Sequence, residues 1–262
     1  MTGRTMEPTS TASPILYAHR GASKERPENT LEAFRLALEL GAGAIETDAH
    51  MTRDGHVVLS HDATGERVAG VPIAIRDATL EEIRRWSVGG LRVPTLDEAL
   101  AACPGVLFNV DAKQVAPNMI PALLRCVRAA NAERRVRIAS FSTTNLRRAR
   151  ALGYAGPIGL SAAEIAALVL LPLPIAKATR IADRGDAAQV PPRAYGVTFA
   201  SQRTIDRLHV LGLRVDFWTI DDPDEARRLV AMGADGIVTD DVRAIAPALQ
   251  RSSWKSGSRL RT

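Results

Sequence analysis

Short strand-like runs alternate with capped helical segments along most of this chain, and this alternation is the feature that most constrains its fold. After the first run, Leu31, Phe34 and Leu38 recur at helical spacing, and Asn29 with Glu32 has the spacing of an N-terminal helix cap. Strands that alternate with helices imply a parallel sheet. The chain has 262 residues and lacks a Gly-x-Gly-x-x-Gly segment after the first run. The predicted fold is therefore α/β, a (β/α)8 TIM-type barrel rather than a doubly wound sheet.

Nine runs have the character of strands, which is one more than an eight-stranded barrel requires. These runs are 15–19, 44–48, 57–61, 106–112, 136–141, 157–160, 195–199, 214–220 and 236–239. Residues 57–61 follow the second run too closely for a crossover helix. They are therefore either a barrel strand reached by an extended return segment or a hairpin partner. Only the first alternative is expected to bring His61 to the same end of the barrel as Asp48.

The remaining segments divide the chain into one barrel domain with two tails. Residues from about 62 to 94 contain no clean strand and are rich in Gly, Pro, Thr and charged residues, so they are predicted to be a small insertion over the C-terminal mouth of the barrel. Residues 14–250 form the predicted barrel domain. Residues 1–13 and 251–262 lack apolar periodicity, which predicts disordered tails.

The excess of basic residues is concentrated in the C-terminal tail. Arg251, Lys255, Arg259 and Arg261 supply four charges of a formal net charge of +5. A nucleic-acid-binding protein is expected to carry its basic residues on a folded face with aromatic residues between them, whereas aromatic residues make up only 4% of this chain. No nucleic-acid partner is predicted. Weak contact of the basic tail with a membrane surface is the alternative left open.

The cysteine content and the first residues bear on the cellular compartment. Cys103 and Cys126 are the only cysteines, so the chain has no disulfide framework. The first 14 residues contain no apolar segment of the kind that a secretory signal requires. A cytoplasmic location is the expectation from these two features.

Polar side chains stand at the carboxyl ends of the predicted strands, where the active sites of such barrels lie. These side chains are His19, Arg20, Glu46, Asp48, His61, Asp62, Asp111, Lys113, Trp218, Asp221 and Asp240. Glu46 and Asp48 share one side of their strand because side chains alternate, and Asp111 and Lys113 do the same. Each residue alone is more typical of a structural hydrogen bond or ion pair. Together they are expected to meet at one end of the barrel.

The residue types in this set are suited to cleaving a phosphodiester. Three carboxylates supply the hard oxygen ligands that Mg²⁺ or Ca²⁺ prefers. Such a cation, with Arg20 and Lys113, would neutralise a phosphate. Two histidines can share the proton transfers, one activating the nucleophile and one protonating the leaving oxygen.

Several short segments between about residues 15 and 245 also match a known family. They are Ala18-His19-Arg20-Gly21-Ala22, Pro27-Glu28-Asn29-Thr30-Leu31 with Ala33-Phe34, Glu46-x-Asp48, Thr52-Arg53-Asp54-Gly55, Val57 to His61-Asp62, Val93-Pro94-Thr95-Leu96-Asp97-Glu98, Trp218-Thr219-Ile220, and Gly233-Ala234-Asp235-Gly236-Ile237-Val238-Thr239-Asp240. In these segments the chain resembles the glycerophosphodiester phosphodiesterases.

This resemblance implies a (β/α)8 barrel that hydrolyses glycerophosphodiesters, as small-molecule substrates, to an alcohol and glycerol 3-phosphate with one divalent cation, Mg²⁺ or Ca²⁺. It also implies a role for most of the strand-end residues. The implied roles are acid–base catalysis for His19 and His61, phosphate binding for Arg20 and Lys113, packing against the glycerol moiety for Trp218, and cation binding for Glu46, Asp48 and Asp111.

Two positions depart from the pattern of that family. Asp111 stands where the family usually has Glu, and its oxygen is expected to fall about 1–1.5 Å short of the usual position because the side chain lacks one methylene. It is expected to bind the cation through water, or the cation is expected to shift. His50 replaces an apolar residue and shares one side of its strand with Asp48; a structural role is the expectation for it.

Two other functions are compatible with parts of the sequence. An enzyme similar to phospholipase D or to phosphoinositide phospholipase C, acting on lysophospholipids at a membrane, would use the same barrel and paired histidines. The apolar residues 168–175 and the basic tail keep this alternative open. A non-catalytic phosphate-binding barrel would be expected to lack one histidine or one acid, and none is missing here.

Overall fold

Most of the predicted strands are present as hydrogen-bonded elements. The computed structural model describes residues 13–194 and 196–250, so the predicted tails lie outside the described residues apart from Ser13. The strands are β1 (Ile15–His19), β2 (Ala44–Met51), β3 (Val57–Leu59), β4 (Thr64–Gly65), β5 (Val71–Ala74), β6 (Leu107–Ala112), β7 (Val136–Ala139), β8 (Ala187–Val190), β9 (Arg193–Ala194), β10 (Val197–Thr198), β11 (Arg214–Phe217) and β12 (Gly236–Thr239).

Helices follow most barrel strands and cover the outside of the sheet. They are α1 (Leu31–Glu39), α2 (Glu66–Ala69), α3 (Leu80–Ile83), α4 (Leu96–Ala102), α5 (Ile120–Ala129), α6 (Thr143–Ala151), α7 (Ala162–Leu170), α8 (Leu173–Ala178), α9 (Gln202–Val210), α10 (Pro223–Ala231) and α11 (Val242–Gln250). Three short 3-10 turns complete the described elements, at Ile75–Asp77, Glu133–Arg135 and Ala182–Arg184. None of the helices in the described residues is long and apolar enough to cross a membrane.

The main sheet is a closed parallel barrel. Its strand order is β7-β6-β2-β1-β12-β11-β8. Parallel bridges from Ile138 to Ile158 and from Gly159 to Ala187 join the two ends of this order. The short segment 158–159 therefore occupies the eighth place between β7 and β8, and the predicted (β/α)8 barrel is confirmed.

One predicted barrel strand was wrong and another strand was missed. Residues 197–198 of the predicted strand 195–199 pair with 193–194 in a separate antiparallel sheet, and residue 195 lies outside the described residues. The barrel strand in this part of the chain is β8, with the sequence AAQV. Ala is depleted in strands and Val190 is the one β-branched residue of this segment, so its strand signal is weak. Pairing with β11 on one side and Gly159 on the other holds it in the barrel.

The short run after the second strand is a hairpin partner and not a barrel strand. β3 pairs antiparallel with the outer part of β2, with Ala49 opposite Leu59 and Met51 opposite Val57. The expectation that only a barrel strand would bring His61 to Asp48 was therefore wrong. β2 extends past the barrel, and β3 runs back alongside this extension towards Asp48. The Ser60 amide, just after β3, therefore donates to the Asp48 carbonyl at 3.0 Å.

The predicted insertion has a small core of its own. Contrary to the expectation that it lacks strands, it contains the antiparallel pair β4 and β5. Its buried apolar side chains pack together with Val58 of β3; they are Ile75, Ala78, Ile83, Trp86, Val88 and Val93. This packing gives the segment a defined position relative to the barrel.

The loop between β1 and α1 passes very close to the helix that follows it. Gly21 has φ +84°, and a Cβ added there would lie 2.7 Å from the backbone carbon of Ala33, so only glycine fits. The helix cap predicted at Asn29 is instead Thr30, whose side chain accepts from the Ala33 amide. Asn29 adopts φ 55°, a conformation that Asn tolerates better than most residues, and its side chain is free to enter the barrel mouth.

Candidate active site

Adjacent barrel strands bring the predicted site residues to one edge. In the strand register His19 lies opposite Glu46, and Asp48 lies opposite Asp111. Lys113 follows directly, with its amide donating to the Ala49 carbonyl at 3.1 Å. Residues that are widely separated in the chain therefore line one wall at the carboxyl ends of β1, β2 and β6.

His19 is held by a carboxylate from the last barrel strand. Its Nδ1 lies 2.7 Å from Asp240 Oδ1, which also accepts from the Ser23 hydroxyl at 3.0 Å. Because an ionised carboxylate can only accept a hydrogen bond, Nδ1 carries the proton, and Nε2 of the neutral ring is free to accept one. Nε2 lies 3.8 Å from Glu46 Oε2. Burial alone would lower the pKa of His19, but Asp240 and Glu46 outweigh it and raise that pKa.

His61 has the same arrangement with its neighbour in sequence. Its Nδ1 lies 2.8 Å from Asp62 Oδ1, so Nε2 is again the nitrogen without the carboxylate. The residue before it, Ser60, donates its amide to the Asp48 carbonyl at 3.0 Å, which places His61 beside the carboxyl end of the barrel part of β2. Two histidines thus present equivalent nitrogens at the same mouth.

Lys113 lies between two of the predicted cation ligands. Its Nζ is 2.9 Å from Asp48 Oδ1 and 2.7 Å from Asp111 Oδ2. Burial raises the pKa of Asp111, and the nearby lysine only partly offsets this. For Asp48 burial acts in the same direction, but Lys113 and Arg20 outweigh it and lower the pKa.

Glu46 is the least compensated of the three carboxylates. Its burial and the charge of Asp48 raise its pKa to about 8. Asp111 Oδ1 is also buried and has no hydrogen-bond partner. Within residues 13–194 and 196–250, no group of three His, Cys, Asp or Glu side chains is arranged to hold a metal ion. The donor chemistry nevertheless fits a divalent cation, since a hard cation would compensate Glu46 and supply the missing partner of Asp111.

Arg20 and Asn29 both contact Asp48 from the loop after β1. Arg20 Nε lies 3.2 Å from Asp48 Oδ2. The Asn29 amide group donates to the same oxygen at 3.2 Å, and its Oδ1 accepts from the Thr47 hydroxyl at 2.6 Å. Asp48 is 1% exposed, and these contacts fix its orientation.

An aromatic pair stands beside the cationic groups. Trp218 packs edge to face with Phe141 at 5.8 Å between ring centroids. The Lys113 ammonium lies 5.6 Å from the centre of the Phe141 ring. Phe141 is 64% exposed, which is unusual for a large apolar side chain and leaves its ring open at the mouth.

His50 is placed against the backbone of His61. It is buried, and its Nε2 lies 3.3 Å from the His61 carbonyl oxygen. Burial lowers its pKa, so the neutral ring is favoured and can donate to that carbonyl. This contact is the structural role expected for His50.

Several residues that complete the mouth had no assigned role in the sequence prediction. They are Glu28, Asn29, Asp62, Arg67, Phe141 and Asp240. Asp62 and Asp240 are among the strand-end residues singled out from the sequence, but no role was predicted for either of them. Arg67 lies in the insertion, and no pattern in the neighbouring sequence predicts that it reaches the mouth.

Comparison with known proteins identifies the family of this chain. The sequence model of the glycerophosphoryl diester phosphodiesterase family matches residues 19–244. A glycerophosphodiester phosphodiesterase from Caldanaerobacter subterraneus subsp. tengcongensis is 32% identical over 240 residues, covering 87% of this chain and 94% of its own. The probable glycerophosphodiester phosphodiesterase 2 of Mycobacterium tuberculosis is 35% identical over 247 residues, covering 92% of both chains.

A solved structure agrees in fold. The phosphodiesterase from Oleispira antarctica, determined in complex with the product sn-glycerol-3-phosphate, has a TM-score of 0.76 at 23% identity and covers 91% of this chain and 97% of its own. The parallel barrel together with these named relatives assigns the chain to the barrel phosphodiesterases, a class of enzymes. Within that class, this chain belongs to the glycerophosphoryl diester phosphodiesterase family.

Proposed function

We propose that this enzyme hydrolyses glycerophosphodiesters to an alcohol and glycerol 3-phosphate with the help of one divalent cation. The observation that carries the proposal is the grouping of His19, His61, Arg20 and Lys113 at one end of the barrel in a member of this family. The overall change adds water across one P–O bond and releases the alcohol.

The two histidines supply the proton transfers in this proposal. Each has its Nδ1 tied to a carboxylate, Asp240 for His19 and Asp62 for His61. Each carboxylate orients its ring and stabilises the imidazolium that forms when Nε2 takes a proton. One Nε2 removes the proton of the attacking nucleophile, and the other protonates the oxygen of the departing alcohol.

Arg20 and Lys113 bind the phosphate. Arg20 Nε lies 3.2 Å from one oxygen of Asp48, and Lys113 Nζ lies 2.9 Å from the other. This buried carboxylate therefore sets the distance between the two basic side chains. Hydrogen bonds from charged donors are the strong ones for an anionic ligand. Trp218 packs against the glycerol moiety, and Phe141 beside it extends the apolar side of the mouth.

Glu46, Asp48 and Asp111 are the residues that would hold the cation, Mg²⁺ or Ca²⁺. Their oxygen atoms suit either ion. The pKa of Glu46 is raised, so a cation bound beside it would stabilise its ionised form. When bound, the cation supplies charge neutralisation for the phosphate oxygens.

A substrate panel tests the proposal directly. Glycerophosphocholine, glycerophosphoethanolamine, glycerophosphoinositol, bis-glycerophosphate and a lysophospholipid are each incubated with the enzyme, with and without EDTA. We expect release of glycerol 3-phosphate from at least one of the first four, and loss of turnover with EDTA that added Mg²⁺ or Ca²⁺ restores. Hydrolysis of the lysophospholipid alone would instead support the lysophospholipid-directed alternative, and binding without turnover the non-catalytic one.

Asp111 gives the sharpest prediction about the cation, because the family usually has Glu at this position. Asp111→Glu is expected to retain or tighten cation affinity, since the longer side chain reaches further into the mouth. Asp111→Ala is expected to weaken affinity and to lower turnover, since the site loses a carboxylate. Calorimetric titration of each variant with Mg²⁺ and with Ca²⁺ measures the affinity independently of turnover.

A surface carboxylate supplies the control for this series. The Asp77 side chain is 67% exposed, and its Oδ2 lies 3.8 Å from Arg76 Nε. Asp77→Ala is expected to bind the cation as the unaltered enzyme does. If Asp111→Ala also binds it unchanged, Asp111 is not a ligand and the cation is held by Glu46 and Asp48 with another partner.

A further inference from the structure

One arginine of the insertion joins two carboxylates that come from different segments of the chain. Arg67 lies on the short helix α2. Its Nε donates to Asp62 Oδ2 at 2.5 Å, and its Nη1 and Nη2 donate to the two oxygens of Glu28 at 2.9 and 2.7 Å. The guanidinium therefore uses its three nitrogens on two acids that are 34 residues apart in sequence.

The first of these acids holds a histidine. Asp62 has one oxygen on Arg67 and the other, Oδ1, 2.8 Å from His61 Nδ1. Because both oxygens are engaged, rotation of the carboxylate would break one of the two contacts. The position of Arg67 therefore limits the orientations available to the His61 ring.

The second acid holds an arginine. Glu28 Oε1 accepts from Arg20 Nη1 at 3.2 Å as well as from Arg67. Burial would raise the pKa of Glu28, but Arg67 and Arg20 together outweigh it and lower that pKa. Glu28 is thus an ionised bridge between the insertion and the loop that carries Arg20.

The geometry requires arginine rather than any cation. The planar guanidinium presents its donors in a fixed fork that can engage one carboxylate with two nitrogens and another with the third. A lysine ammonium is a point charge on a flexible stem and would settle on one acid. The fork is therefore what couples Asp62 to Glu28.

We propose that Arg67 is a positioning residue through which the insertion sets the orientation of His61 and of Arg20 together. The roles of His61 and Arg20 rest on the function proposed above. Through Asp62 the guanidinium acts on proton transfer, which is measured by kcat. Through Glu28 it acts on phosphate binding, which is measured by KM.

Steady-state kinetics of three variants test this coupling. Arg67→Met is expected to lower kcat and raise KM, each by about tenfold, because small displacements of reacting groups are costly. Arg67→Lys is expected to restore at most one of the two parameters, because a lysine would contact only one of the two acids. Arg85→Met is the matched control, since Arg85 is an exposed arginine of the same insertion that pairs with Glu81 at 2.7 Å; its kcat and KM are expected to stay within about twofold, as for most surface changes.

Double-mutant cycles separate positioning from a general loosening of the insertion. In an Asp62→Asn background, Arg67→Met is expected to change kcat little further, and in a Glu28→Gln background it is expected to change KM little further. If the separate effects multiply in both backgrounds, Arg67 does not act through these acids and the proposal is overturned.

A measurement without substrate keeps this inference distinct from the proposed function. In ¹⁵N-histidine-labelled protein, the Nδ1–H signal of His61, assigned with His61→Gln, is expected in the unaltered enzyme and in Arg85→Met, and is expected to be lost in Arg67→Met. Unchanged kinetics together with an unchanged signal in Arg67→Met overturn the proposal. If the unaltered enzyme hydrolyses no diester, the proposed function fails, and the His61 signal alone decides the role of Arg67.

Discussion

Replacing His19 or His61 with alanine is expected to lower turnover by about 10²–10⁴-fold, the usual scale for loss of an acid–base group. Each imidazole is held by a carboxylate through Nδ1, at 2.7 Å for His19 and 2.8 Å for His61, so each is oriented for one proton transfer. The fold is expected to survive, because both side chains lie at the mouth and neither fills the apolar core. Single-turnover kinetics with saturating Mg²⁺ or Ca²⁺, alongside thermal unfolding, measure the two effects separately.

The hairpin between β2 and β3 contains a matched control. His56 has a half-exposed side chain, and its nearest acid is Asp54 at 4.0 Å. His56→Ala is expected to keep near-normal turnover. A His19→Ala or His61→Ala variant that turns over at the rate of this control, with cation present, would remove that histidine from the proposed mechanism.

Removing Arg137 is expected to destabilise the barrel more than any surface change. Its Nη1 donates to the Tyr17 hydroxyl at 2.9 Å and to Asp216 Oδ2 at 3.0 Å, and its Nη2 donates to Asp186 at 2.6 Å. Asp216 is fully buried, and its other oxygen has no hydrogen-bond partner. Arg137→Met leaves this carboxylate without its main partner, which costs about 3–5 kcal/mol for a broken buried pair.

Thermal unfolding measures this loss. For a domain of this size we expect a fall in Tm of about 6–20 °C. Adding Asp216→Asn to Arg137→Met is expected to recover much of it, because the uncompensated charge is then absent. Arg180→Met is the control, since the side chain of Arg180 is 81% exposed and forms an ion pair with Asp183, three residues further along the chain. A Tm for Arg137→Met equal to that of this control would show that the buried cluster contributes nothing to stability.

The barrel could be predicted from local features, but the weakest strand could not. β-branched and aromatic runs marked most of the barrel strands, since such side chains pack well on a pleated surface. The AAQV segment of β8 has no such signal, and its neighbours hold it through backbone pairing. The direction of β3 was also ambiguous in sequence, because it depends on where β2 ends. β2 runs three residues past Asp48, and β3 pairs antiparallel with this extension.

The sequence by itself determined that the side chains at the ends of β1, β2 and β6 gather at the mouth, because parallel barrel strands end at the same edge and alternation selects the inward side chains. Only the tertiary structure decided what each of them touches. His19 meets Asp240 across 221 residues, Lys113 lies between Asp48 and Asp111, and Arg67 reaches both Asp62 and Glu28 from the insertion. Apart from the close pairs Asp111 with Lys113 and Asp62 with Arg67, these partners come from segments that are distant in the chain, and only three-dimensional packing brings them together.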